Sequence, residues 1–119
     1  MTTVMKSQKK SFSTPDETRT PAKATMETVK FGDMAITRMT CQPGWRWSES
    51  IKPLAGTDSC QATHFNYVMS GHLRTHLDDG SEFDIGPGDI AIIAPGHDAW
   101  VLGDEPVVML DFQGASRNG

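Results

Sequence analysis

The chain has 119 residues, of which 22% are charged and 37% hydrophobic, and these are the proportions of one soluble globular domain with a modest core. No apolar run approaches the roughly 20 residues that a membrane-spanning helix needs, and no apolar segment follows the N-terminal lysines as in a secretory signal. The composition therefore excludes a membrane-embedded protein. It favours a cytoplasmic one, whose two cysteines, Cys41 and Cys60, are reduced thiols.

Charge divides the chain into a basic N-terminal part and an acidic body. Residues 1–30 carry six Lys and Arg against three Asp and Glu, a net charge of +3, whereas residues 31–119 carry five against twelve, a net charge of −7. An acidic body repels phosphates, so nucleic-acid binding is not expected. The Ser, Thr, Pro and Lys content of the first part predicts a flexible arm over residues 1–25, followed by a folded domain over 26–114 and a short tail over 115–119.

Beyond the arm, the chain predicts short strands separated by Gly, Pro and Asp turns. The strands are expected at residues 25–31, 34–42, 59–70, 72–77, 82–85, 90–94, 98–103 and 107–112. No segment has a helical period, and Pro53 interrupts the one candidate, "SESIKPL". Many short strands with turns at regular intervals predict an all-β sandwich or barrel.

Two glycine-anchored segments resemble the sequence motifs of a small single-domain cupin. "YVMSG", which ends at Gly71, is similar to the end of the first cupin motif, and "GPGDIAIIAPGHDAW", residues 86–100, is similar to the second. The resemblance covers residues 35–112. It implies an antiparallel β-barrel of the double-stranded β-helix, or jelly-roll, type, assembled as a homodimer, with a metal or small-molecule site inside.

Unusual residues occupy the metal-ligand positions of those motifs. The resemblance places Asp58 and Cys60 in the two histidine positions of the first motif and His64 in its glutamate position. In the second motif the histidine position holds Ala99, and His97 lies two residues earlier. The usual set of three histidines and one glutamate is absent, so any metal site in this chain is a different one.

The spacing of these residues gives them a common direction. Side chains alternate between the two faces of an extended strand, so Asp58, Cys60 and His64 would share one face, and His97 has the parity of position 99. One thiolate and two imidazoles with an open fourth position suit zinc or iron, with nickel and manganese as further options. Asp58 or Asp98 would complete the set or hold an imidazole. The other interpretation has no metal: a polar cavity, or an ordinary strand with a buried thiol.

Thirteen residues separate Gly44 from Asp58, where the resembled motif has five, so residues 45–57 form an inserted segment, and its aromatic residues indicate a binding site near these ligands. Trp47 and Trp100 are candidates for contact with a small-molecule substrate, and Arg46 for binding its carboxylate. Two structural alternatives remain open: Trp45 and Trp47 pack over the open end of the barrel, and Arg46 forms a salt bridge with a nearby acid.

The sequence leaves two classes of function open, because one fold hosts many activities. The first is a metal-dependent enzyme acting on a small organic substrate, of dioxygenase, isomerase or lyase type, with Tyr67 or Asp98 as the acid or base. The second is a non-catalytic module that senses or binds a small ligand or a metal. No nucleophile–base pair occurs at a recognisable spacing. The basic arm would support a homodimer by adding a strand to the sheet edge of a neighbour.

Overall fold

The computed structural model describes residues 6–112 and places nine strands and two short helices in that range. The strands are β1 (Glu17–Arg19), β2 (Ala24–Phe31), β3 (Met34–Cys41), β4 (His64–Ser70), β5 (His72–Leu77), β6 (Glu82–Ile85), β7 (Ile90–Ile93), β8 (His97–Leu102) and β9 (Val107–Asp111), and the helices are α1 (Trp47–Ser50) and α2 (Lys52–Ala55). The predicted tail and the predicted domain end at 114 lie outside the described residues. No helix within the described range is long and apolar enough to cross a membrane.

The strands form two antiparallel sheets. The larger sheet has the order β1-β2-β3-β9-β4-β7, and the smaller one has the order β6-β5-β8. The chain first passes from the larger to the smaller sheet at Gly71, between β4 and β5, and then alternates between the sheets, since β7 and β9 belong to the larger sheet and β8 to the smaller one. The predicted all-β, jelly-roll class is confirmed, although the two sheets do not close into one continuous ladder over the described residues.

A row of apolar side chains lies on the inner face of the larger sheet, facing the smaller one. Residues paired across strands share a face, and the register aligns Met26 with Met39, Met39 with Met109, and Met109 with Val68. All four are buried and belong to one hydrophobic cluster, which also contains Leu73 from the smaller sheet. The core therefore lies between the sheets, where the alternation of apolar residues along each strand predicts it.

A polar row runs beside the apolar one on the same inner face. The register aligns Thr28 with Thr37, Thr37 with Asp111, and Asp111 with Asn66, and each of these residues is at most 3% exposed. The hydroxyl groups of Thr28 and Thr37 form a hydrogen bond of 2.8 Å. Burying polar groups is unfavourable unless each finds a partner, so the members of this row need hydrogen-bond partners inside the core.

Two parts of the predicted element pattern are wrong. Residues 47–55 contain two short helices. Pro53 is compatible with α2 because it lies in the first turn, where a backbone N–H would have no intrahelical partner. The strand predicted from residue 59 begins only at His64, and before it Cys60 forms a single β-bridge with His97. Both cysteines are free, as predicted.

The predicted N-terminal arm contains a strand of the chain's own sheet. β1 pairs with β2, with Glu17 opposite Thr28 and Arg19 opposite Met26. Through this pairing β1 extends the edge of the chain's own sheet, and the expectation that the arm adds a strand to a neighbouring molecule stays a prediction. The flexibility predicted for residues 1–25 stays a prediction.

Gly71 provides a test of the sheet-to-sheet crossing. Its φ is +79°, and a Cβ there would meet the carbonyl oxygen of Pro106 and lie 2.7 Å from the Cα of Val107. We expect Gly71→Ala to lower the free energy of unfolding by about 3 kcal/mol, because left-handed backbone costs about 1–2 kcal/mol and displaced neighbouring atoms add a similar amount. Urea unfolding followed by tryptophan fluorescence measures the loss.

The matched control is Gly32→Ala. Gly32 has a φ of +58°, and a Cβ there would have nothing within 4 Å. Its loss should be only about 1 kcal/mol, from the backbone conformation alone. Equal losses in the two variants would contradict the steric argument at Gly71.

Candidate metal centre

Cys60 lies at the point where the inserted segment meets the smaller sheet. Its backbone N–H donates to the carbonyl oxygen of His97 at 2.7 Å, and its own carbonyl oxygen accepts from the N–H of Gly96 at the same distance. These bonds fix the main chain of Cys60 against the first residue of β8. They place its side chain, 6% exposed, in the core.

His64, the first residue of β4, is held by a carboxylate on one side and faces the thiol on the other. Its Nδ1 donates to Asp111 Oδ2 at 2.6 Å, and its Nε2 lies 3.5 Å from Cys60 Sγ. Because Asp111 occupies Nδ1, the tautomer and the ring orientation are set, and Nε2 is the nitrogen left for the site.

His97 completes the group from β8. Its Nδ1 donates to the carbonyl oxygen of Ala94 at 2.7 Å, so its Nε2 is likewise the nitrogen left for the site. The rings of His64 and His97 meet edge to face, with centroids 5.2 Å apart. One donor atom from each of Cys60, His64 and His97 lies within 4.8 Å of the others, so the structure brings together the three residues predicted as metal ligands.

The electrostatics of the site favour a thiolate paired with an imidazolium when no metal is bound. Burial raises the pKa of the Cys60 thiol, but hydrogen bonds from His64 and His97 outweigh it and lower that pKa to about 6. Burial lowers the pKa of His64, but the hydrogen bonds to Asp111 and Cys60 raise it to about 9. In contrast, burial without such partners raises the pKa of Cys41 to about 12.

Asp111 is the residue of the site that the sequence interpretation missed. It is 2% exposed, and besides the His64 contact its Oδ1 accepts from the backbone N–H of Phe65 at 3.4 Å. A signal for it exists in "VVMLD", because Val107, Met109 and Asp111 have the same parity, and an acid at an inward position of an apolar strand needs a partner inside. The structure also pairs the Cys60 thiol with the His64 imidazole, a nucleophile–base pair whose spacing the sequence does not make recognisable, and Asp111 completes the chain from 47 residues away.

A cavity of about 610 Å³ adjoins the three residues and is lined mainly by apolar side chains. Cys60, His64 and His97 lie on its wall, together with Trp45 and Trp47. Both tryptophans are buried, 3% and 6% exposed. The volume is in the range of small-molecule sites, so the candidate ligands open onto a space that a substrate could occupy.

Three of the predicted substrate and acid–base residues lie on the other side of the sheet. In β8, His97 and Ala99 point inward, so Asp98 and Trp100 point outward. Asp98 Oδ1 accepts from the backbone N–H of Ser48 at 3.1 Å, and the guanidinium of Arg46 stacks 4.1 Å from the centre of the Trp100 ring. This placement corrects the prediction that Arg46, Asp98 and Trp100 act in the cavity. The salt-bridge alternative for Arg46 agrees with the structure, because its guanidinium lies 3.8 Å from Asp98 Oδ2.

Tyr67 and Asp58 are also outside the cavity. Tyr67 is 37% exposed on the outer face of β4, and the irregularity in the register of that strand lies beyond it, between Val68 and Ser70, so the parity of Tyr67 is not reversed. Asp58 is exposed on the inserted segment, 3.8 Å from Lys52 Nζ. It does not share a face with Cys60, because residues 59–63 are not an extended strand.

Titration of the thiol tests the electrostatics. In metal-free protein the ultraviolet absorbance of the Cys60 thiolate should appear with a midpoint near pH 6, and Cys60→Ser should abolish it. Asp111→Asn should move the midpoint up, towards the ordinary thiol value of about 8.5, because an amide does not hold the imidazolium. Asp84→Asn, which changes an exposed carboxylate paired with Arg74, is the matched control and should leave the midpoint unchanged.

The pKa shifts of Cys60 and His64 also predict the pH range in which their ion pair stabilises the fold. The Cys60 pKa is below its ordinary value, so this stability is lost as the pH falls through about 6. The His64 pKa is above its ordinary value, so the stability is also lost as the pH rises through about 9. A wild-type thiol midpoint at or above about 8.5 would contradict the ion pair.

Comparisons with known proteins identify the fold. No protein-family model and no curated protein sequence matches the chain. Among solved structures, a Rhizobium leguminosarum protein of unknown function is 20% identical with a TM-score of 0.64, covering 91% of this chain and 98% of that one. An uncharacterised Klebsiella pneumoniae protein with a double-stranded β-helix domain is also 20% identical, with a TM-score of 0.62, covering 100% and 93%.

An enzyme is also among the similar structures. Lactobacillus farciminis oxalate decarboxylase, solved as a formate complex, is 21% identical with a TM-score of 0.64; the match covers 95% of this chain but 34% of the enzyme, so the chain spans about a third of it. Likeness at this identity establishes the fold and leaves the activity open. The chain therefore has a double-stranded β-helix fold, the fold that its two glycine-anchored motifs lead one to expect.

Proposed function

We propose that Cys60, His64 and His97 bind one divalent transition metal ion, and that the protein uses it as an enzyme on a small organic substrate held in the adjoining cavity. The observation that carries the proposal is the state of the two imidazoles. Each has Nδ1 occupied by an acceptor, Asp111 Oδ2 or the Ala94 carbonyl, and each keeps Nε2 for the cluster. Histidines that bind metals are oriented in this way by a carboxylate or a backbone carbonyl.

The donor set fits zinc or iron. For metal–sulfur and metal–nitrogen bonds of about 2.3 and 2.0 Å in tetrahedral geometry, sulfur and nitrogen lie about 3.5 Å apart. Cys60 Sγ and His64 Nε2 are already separated by 3.5 Å. A thiolate with two imidazoles suits zinc and iron better than manganese, which prefers oxygen ligands; nickel is a further option.

The protein residues prepare this site in defined ways. Cys60 is a thiolate near neutral pH, so its sulfur can bind without first losing a proton, while His64 gives up its Nε2 proton when a metal takes its place. Asp111 and the Ala94 carbonyl keep the imidazoles oriented, and the apolar wall limits water. With three protein ligands the bound metal would supply an open coordination position that polarises a substrate oxygen.

The cavity favours an enzyme over a non-catalytic sensor. A sensor is expected to enclose its metal, whereas here the three ligands lie on the wall of a substrate-sized cavity. Of the predicted reaction types, the lyase type has the support that one similar fold belongs to an oxalate decarboxylase. Sensing stays the second candidate, because the molecule also has the exposed apolar face described below.

Metal titration tests the centre. Metal-free wild-type protein should bind close to one equivalent of Zn²⁺, and Co²⁺ should give the intense absorption of a thiolate-bound ion. Cys60→Ser should abolish that absorption, and Asp111→Asn should weaken Zn²⁺ binding by about 10–100-fold, because His64 loses its orientation.

His72→Ala is the matched control, since His72 is an exposed histidine at the start of β5, outside the candidate metal cluster, and its loss should have no effect. If wild-type protein takes up neither ion, the metal centre is wrong. The Cys60–His64–Asp111 chain would then be tested as a nucleophilic thiolate by its rate of alkylation.

We also propose that the protein forms a homodimer through the outer face of β4 and β7. Six large apolar side chains of this outer apolar face are 37–69% exposed: Phe65, Tyr67, Met69, Ile90, Ile92 and Phe112. They are neighbours, because the register pairs Phe65 with Ile92 and Tyr67 with Ile90. None of the six carries a charge, and a two-fold axis would cover the face in both copies at once.

Sedimentation velocity tests the dimer. Wild-type protein should sediment as a dimer and Ile92→Lys as a monomer, because the charge would be buried at the interface. Leu54→Lys is the matched control: Leu54 is 76% exposed but lies on α2, away from the outer apolar face. A monomeric wild type at high concentration, or a monomeric control, would contradict the proposal.

The expectations of a cytoplasmic location and of no nucleic-acid binding stay predictions.

A further inference from the structure

Two residues of the cavity wall carry a buried polar atom without a hydrogen-bond partner. Among the described residues, three buried side-chain polar atoms lack a partner: Trp45 Nε1, Asn66 Oδ1 and Thr75 Oγ1. Trp45 and Asn66 line the cavity, whereas Thr75 does not. Buried polar atoms nearly always have hydrogen-bond partners, so an unpartnered donor and an unpartnered acceptor at one wall indicate groups that a ligand would complete.

Asn66 is held beside the candidate metal centre. It follows His64 by two residues in β4, so the two side chains share a face, about 7 Å apart along the strand, and both line the cavity. Asn66 is 2% exposed, although its carboxamide is a strongly polar group. A carboxamide both donates and accepts hydrogen bonds, so it can orient a ligand whose polar group does the same.

The rest of the wall is largely apolar. Three methionines of the larger sheet contribute to it, together with Trp47 and Leu54. Leu54 is 76% exposed although it lines the cavity, so an occupant would remove part of its surface from water. Burial of apolar surface is favourable in proportion to its area, and this wall therefore favours a ligand with an apolar body.

The charged groups at the wall already have partners. In the described part of the chain no Lys, Asp or Glu lines the cavity, and Arg19, which does, already has an interaction of its own. His64 is paired with Asp111 and faces Cys60. The two positive charges of a bound divalent metal would be matched by the Cys60 thiolate and the Asp111 carboxylate. A buried charge without a counter-charge is strongly unfavourable, so the wall favours an uncharged ligand.

From these observations we infer the substrate class: an uncharged small molecule with an apolar body and a polar head that both donates and accepts hydrogen bonds, as a carboxamide does. The donor of the head binds Asn66 Oδ1, its oxygen accepts from the indole N–H of Trp45, and the body lies against the methionines and Leu54. The inference rests on the proposed function, because it names the substrate class of the same cavity.

A matched pair of probes, phenylacetamide and phenylacetate, tests this class. The two have nearly the same shape, but the acid is anionic and has no donor. Isothermal titration calorimetry on metal-free full-length protein should show the amide binding at least about tenfold more tightly than the acid. Acetamide, which has the same head without the apolar body, should bind more weakly than phenylacetamide.

Asn66→Leu keeps the size of the side chain and removes its carboxamide. It should weaken the binding of phenylacetamide by about tenfold and remove the preference over the acid, because the head loses its acceptor. The same substitution should raise the urea concentration at half-unfolding, because it removes a buried acceptor that has no partner among the described residues. A purely structural role of Asn66 would give the opposite change in stability.

Thr75→Val is the matched control. Thr75 is fully buried and its Oγ1 also lacks a partner within the described range, but it lies away from the cavity wall. The affinity for both probes should be unchanged in this variant. The inference would be overturned by equal binding of amide and acid, tighter binding of the acid, binding of neither, an equal loss of affinity in the two variants, or a loss of stability in Asn66→Leu.

Repeating the titrations with Zn²⁺ separates the two proposals. An Asn66-dependent preference for the amide without any uptake of Zn²⁺ would leave the substrate class standing and remove the metal centre. Stoichiometric Zn²⁺ binding with no preference for the amide would do the reverse.

Discussion

The hydrogen bond between His64 and Asp111 is the interaction on which the candidate site depends. A carboxylate 2% exposed in the core is unfavourable without a strong donor, and the 2.6 Å bond from His64 Nδ1 supplies one. The same bond fixes which imidazole nitrogen faces Cys60, whose pKa burial raises but hydrogen bonds from His64 and His97 lower to about 6. A single buried acid thus sets the tautomer of one candidate ligand, which is why its position in β9 matters as much as those of the candidate ligands.

The topology brings these groups together from three distant parts of the sequence. β4 and β9 are neighbours in the larger sheet, so His64 and Asp111 meet across one pair of strands. Cys60 is joined by its backbone to His97 in the smaller sheet, which places the thiol at the seam between the sheets. The site is therefore located where the two sheets approach each other, and closing the jelly roll is what assembles it.

The fold was largely predictable from the sequence, whereas the site was predictable only in part. Alternating apolar residues and glycine turns are local signals, so the strands and the all-β class follow from them. Cys60, His64 and His97 were found through spacing and resemblance. Asp58 was wrongly added to them, because the parity that groups it with Cys60 requires an extended strand from residue 59, and the strand begins only at His64. Asp111 was missed because its partner is 47 residues away in the chain, and pairing at that distance depends on strand order, which no local pattern contains.

The segment "GWRWS" shows how alternation divides structural from functional residues within a few positions. Trp45 and Trp47 point inward and line the cavity, whereas Arg46 points outward, stacks on Trp100 and lies near Asp98. Asp98 in turn accepts from the backbone N–H of Ser48, so the outer contacts hold the start of α1 against β8. Residues that a sequence motif groups as one binding site thus have separate tasks: Arg46, Asp98 and Trp100 position the segment from outside, and the two tryptophans between them form the wall that a ligand would meet.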